Sequence, residues 1–109
     1  MKKLYKVLKR LKENLPTTHP VLVYIVDPNK MKDRWGECYF TGKRFVIRLG
    51  RADYGLMMFI LCHEYAHCLC SPDLPEEEWH GEEWGRAYAR VWRVYSREVV
   101  IESSPFPLQ

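Results

Sequence analysis

Apolar residues recur every three or four positions at the start of the chain, with Leu4, Leu8, Leu11 and Leu15 on one side and Lys2, Lys3, Lys6, Lys9, Arg10 and Lys12 on the other. This period predicts an amphipathic helix over 2–15, ended by Pro16 and the Thr17 and Thr18 pair. The pattern then changes to a continuous β-branched run, Val21 to Val26, which predicts a short buried strand closed by Asp27, Pro28 and Asn29. Two further runs, Trp35 to Phe40 and Arg44 to Leu49, flank Thr41-Gly42-Lys43 and read as a hairpin. In its second arm Phe45, Ile47 and Leu49 alternate with Arg44, Val46 and Arg48, so one face is buried and the other is not.

Asp53 is placed to cap a helix over about 54–70, although Gly55 weakens its first turn. Ser71-Pro72-Asp73-Leu74-Pro75 breaks it, and Glu76, Glu77 and Glu78 supply acidic residues for the start of another, with a body over 80 to about 98. Trp84, Tyr88, Val91, Trp92 and Tyr95 form one stripe of that helix, a surface for packing against the preceding one. The pattern predicts a single α+β domain over 1–102, followed by an aperiodic tail over 103–109. Its elements are an N-terminal helix, a three-stranded sheet containing the hairpin, and two C-terminal helices.

A chain of 109 residues, 47% of them apolar, has room for one core and no second domain. Leu56 to Cys62 is too short to span a bilayer, and the basic first helix lacks the features of a secretory leader, so a cytoplasmic protein with no membrane contact is expected. Cys38, Cys62, Cys68 and Cys70 show no C-x-x-C spacing and read as free thiols. The net charge of +3 permits contact with nucleic acid without demanding it. The lysine face of the first helix reads as solvated surface in the same way.

The chemistry concentrates in the helix over 54–70, where His63-Glu64-Tyr65-Ala66-His67 is an H-E-x-x-H motif within an apolar run. Histidines four apart differ by roughly 40° around a helix and about 6 Å along it, so both imidazoles can reach one ion. Glu64 is then beside the metal, where it can move a proton to and from a water. Burying two imidazoles and a carboxyl amid Met57, Met58, Phe59, Ile60 and Leu61 without a metal would be costly.

A catalytic zinc needs a third protein ligand and an open position. His80 is favoured, thirteen residues beyond His67, with Gly81 allowing close backbone approach. Asp73 competes through the spacing of a longer H-E-x-x-H signature, although Cys70 stands where that signature has glycine. Glu76, Glu77, Glu78, Glu82 and Glu83 are further carboxylates, clustered as in a solvated helix start. His19, before Pro20, reads as a turn residue. Cys68-x-Cys70 reads as helical packing rather than a second metal site. Tyr39, Tyr88 and Tyr95 are equal candidates to stabilise an oxyanion.

His63-Glu64-Tyr65-Ala66-His67 followed by His80-Gly81-Glu82-Glu83-Trp84 resembles the SprT-like (Spartan-type) zinc metallopeptidases, whose H-E-x-x-H motif is followed by a histidine in an H-G-x-x-[FW] block. Trp35-Gly36-Glu37-Cys38 and Arg44 to Leu49 are similar to the G-x-C and I-x-L elements that precede the metal helix there, and the similarity covers about residues 30 to 97. The resemblance implies a zincin-like domain, one zinc ion held by His63, His67 and His80, Glu64 as catalytic base, and a protein or peptide substrate. The C-terminal zinc ribbon of many members has no counterpart, which implies a minimal core and weakens the family's link to DNA; a monomer is expected. Two other readings are a zinc-stabilised binding module for nucleic acid or protein, and a repressor-cleaving peptidase similar to the ImmA/IrrE group. A latent enzyme held by the tail over 103–109 is a further expectation.

Overall fold

A computed structural model describes residues 2–32 and 34–103, the last five by their backbone alone. The chain forms helix α1 (Lys2–Asn14), strands β1 (Val21–Val26), β2 (Gly36–Phe40) and β3 (Phe45–Gly50), and helices α2 (Tyr54–Cys68) and α3 (Glu82–Ser103). The strands make one mixed sheet in the order β1-β3-β2, with β1 parallel and β2 antiparallel to the central β3. The α+β class, the helices and the hairpin match the sequence reading.

The sheet is covered on one face. Phe45, Ile47 and Leu49 of β3 are buried with Met57, Met58, Leu61, Cys62 and Tyr65 of α2, and Leu4, Val7, Leu8 and Leu11 of α1 complete the same core. The alternation predicted for β3 places Val46 and Arg48 on the far face. There Val46, between Leu22 and Tyr39, is buried at 6% exposure although the alternation predicts an open face, and Arg48 lies between Tyr24 and Glu37, to which it is salt-bridged. Tyr65 ties α2 to the end of α1 by donating its hydroxyl to the Leu15 carbonyl at 2.8 Å. Glu98 of α3, 6% exposed, is bridged by Lys6 at 3.5 Å and Arg10 at 3.4 Å, so the basic face of α1 has a partner on α3 as well as solvent.

The helix ends follow local chemistry. Asp53 caps α2 by accepting from the Leu56 N–H at 3.1 Å, as its position predicts. Helix α2 stops at Cys68 and α3 starts at Glu82, two residues later than the pattern suggests. The intervening 3-10 turn Glu76–Glu78 uses the Pro75, Glu76 and Glu78 carbonyls before the α-helix begins, and the first helical bond of α3 runs from the Gly85 N–H to the Gly81 carbonyl. Helix α3 runs to Ser103, the last described residue, past the expected end near 98. The expected tail lies outside the described residues from 104 onward. Among the described residues no helix is long and apolar enough to cross a membrane.

Candidate metal centre

Three histidines converge on one point. His63 and His67 project from the same side of α2 with ring centroids 5.2 Å apart, and His80, in the turn before α3, comes within 5.1 Å of His63 and 4.8 Å of His67. One nitrogen from each lies within 4.8 Å of the others, and the His63 and His80 Nε2 atoms are 3.2 Å apart. Two nitrogens bound tetrahedrally to one zinc would be roughly 3.3 Å apart, so the donor set fits such an ion without rearrangement of that pair. Asp73 and the acidic residues of the connection are not part of the cluster. Glu83 accepts instead from the Ser71 N–H at 3.3 Å, and Glu82 is salt-bridged to Arg86.

The surroundings favour the neutral form of the two α2 histidines. Burial, then the other histidines, lowers the pKa of His67 to about 4, and burial followed by His80 lowers that of His63. An uncharged imidazole keeps the lone pair that a metal requires. Trp84 walls the centre, 4.9 Å from His63, 5.7 Å from His67 and 5.0 Å from His80, and its indole N–H reaches the His63 carbonyl at 3.4 Å. Trp79, next to His80, donates to the Leu74 carbonyl at 2.9 Å and so fastens the exposed connection to itself. A β-carbon at Gly81 would stand 3.2 Å from the Glu78 carbonyl oxygen, a tight contact in the turn that carries His80.

Glu64 is 6% exposed and lies between α2 and the sheet edge. Burial, helped by Glu37 and opposed by Arg34, pushes its carboxyl up to about 7. Strand β2 approaches this point through Gly36, where a β-carbon would come 2.2 Å from Ile60 Cγ2 and 3.4 Å from Glu64 Cγ. Any larger residue there would force Ile60 or the strand to shift. The hydrophobic pattern carries no sign of this need, although a glycine opening a strand is its one visible trace.

Among the three tyrosines, Tyr88 is 6.5 Å from His63 and stacks on Trp84 at 4.9 Å, whereas Tyr39 faces the uncovered side of the sheet. Tyr95 lies further along α3 against Trp92. His19 packs edge-on against Phe40 and Phe45 at the end of the sheet, remote from the triad. Two shallow surface hollows, one on α1 lined by Tyr5, Leu8 and Lys12 and one by Leu69, Ala87 and Arg90, do not touch it. Comparison of the chain with family models, with curated proteins and with solved structures gave no match.

Proposed function

We propose that the protein is a zinc-dependent metallopeptidase of SprT-like, zincin-like type, with His63, His67 and His80 as ligands of one zinc ion and Glu64 as general base. The observation that carries this reading is the convergence of three imidazole donors within 4.8 Å, one helix position from a buried carboxyl. Zinc bound there would supply Lewis-acid polarisation of a scissile carbonyl and acidify a water. Glu64 takes the proton from the attacking water and gives it to the leaving amine, the general acid/base role its place beside His63 allows. Tyr88 is the phenol best placed to donate to the developing oxyanion.

The substrate is an extended peptide. Strand β2 is an edge strand among the described residues, and it presses on α2 beside Glu64. A peptide added along that edge gains main-chain hydrogen bonds and passes the centre without side-chain reading, so an unstructured protein is the expected class of substrate. A metal held only to fasten the connection would not call for a buried carboxyl one residue from His63.

The test is cleavage of an unstructured protein by the zinc-loaded chain, with and without single-stranded DNA, beside Glu64→Gln. Cleavage lost in the variant while zinc is retained is the expected result. No cleavage by the zinc-loaded parent under either condition overturns the peptidase reading, and a DNA requirement would assign nucleic acid as a partner.

A further inference from the structure

Outside the histidine centre, two thiols meet, Cys38 of β2 and Cys68 at the end of α2. Their Sγ atoms are 3.5 Å apart although thirty residues separate them in the chain. Cys68 is itself buried, at 1% exposure, and so are the other two thiols. Cys62 is fully buried, and Cys70 is 6% exposed with its Sγ turned back on the Ala66 carbonyl at 3.4 Å. Cys38 alone is half-buried rather than buried. It also lies on a strand that is paired on one side only among the described residues, and the outer strand of a small sheet is where local opening is least costly.

We infer that Cys38 and Cys68 are an oxidation site, at which a peroxide converts the two thiols into a disulfide joining edge strand β2 to the last turn of α2. The Cys38 sulfur attacks one peroxide oxygen, the O–O bond breaks, and Cys38 becomes a sulfenic acid as the first water leaves. The Cys68 sulfur then displaces the hydroxyl from Cys38, the S–S bond forms, and the Cys68 proton departs with that hydroxyl as the second water. Two thiols lose two electrons and two protons, and one peroxide becomes two waters. Closing the gap from 3.5 Å to the roughly 2.05 Å of a disulfide is a small displacement for two side chains already in contact. The bond would hold the strand that carries Gly36 against the helix turn that carries His67. It stands independently of any peptidase activity.

The experiment treats the full chain, zinc-loaded and metal-free, with hydrogen peroxide and maps its peptides without reduction. One Cys38–Cys68 peptide, about 2 Da lighter than the sum of its parts and released by dithiothreitol, is the expected product. Cys38→Ser should abolish it, and Cys62→Ser should not. A bridge from Cys38 to Cys70, a disulfide between two chains, or sulfinic acid at Cys38 without any bridge overturns the assignment, and the parent protein decides this even if a variant fails to fold.

Discussion

The two sides of the histidine centre are built differently. His63 and His67 stand on a helix whose opposite face is the middle of the core, with Met58, Leu61, Cys62 and Tyr65 at most 0% exposed. His80 stands on an exposed connection whose only regular piece is a three-residue 3-10 turn, held by the Trp79 to Leu74 hydrogen bond and by Glu83 on the Ser71 N–H. The helix sets its two rings whether or not an ion is bound. The connection has few buried contacts to oppose its opening, so a bound ion should stabilise the connection much more than the helix.

The largest effect that can break this contrast is loss of a ligand. If the ~10–16 kcal/mol of apparent zinc binding is shared among the bonds to the ion, each imidazole contributes on the order of a hundredfold in affinity. His63→Ala, His67→Ala and His80→Ala should each lose about that much by competition titration. Zinc removal should raise hydrogen exchange at residues 71–81 while leaving α2 unchanged. Equal changes in both segments would end the comparison.

Next in size is Gly36→Ala, which forces a β-carbon into Ile60 and should cost about 1–3 kcal/mol in urea unfolding. Ile60→Ala in the same chain should recover part of that loss, because the collision is with this side chain. Simple additivity of the two changes would show that the strand does not press on the helix there.

The third effect is a slope with pH in the metal-free protein. Glu64, raised from 4.5 to about 7, keeps a proton that the unfolded chain has released, so its contribution to stability falls as pH rises across that range. His67, lowered from 6.5 to about 4, works oppositely: the unfolded chain binds the proton and stability rises over pH 4 to 6.5. The two oppose each other in the parent. Glu64→Gln removes the first, so its stability should climb more steeply between pH 4.5 and 6.5, by on the order of 2 kcal/mol. A slope unchanged from the parent would show that Glu64 is not held protonated.

The smallest effect belongs to the connection. Trp79→Phe removes the hydrogen bond to Leu74 and should weaken zinc binding by a few fold, about 0.5–1.5 kcal/mol, with no change in the melting of the metal-free chain. A matching drop in that melting temperature would place Trp79 in the core rather than in the connection.

Much of this molecule was legible without the fold. The helical period of α1, the β-branched run of β1, the alternation of β3 and the Asp53 cap are decided by neighbours within one or two turns, and so is the shared face of His63 and His67. What remained undecided is non-local. The β1-β3-β2 order, the need for glycine at position 36 and the meeting of Cys38 with Cys68 each depend on segments far apart in sequence, whereas His80, already favoured over Asp73, is in the cluster. The chain by itself determined which residues could take part in the chemistry, because spacing along a helix is a local property. Only the packing of strand and connection against α2 decided which of them meet, because no local pattern specifies how separate elements are brought together.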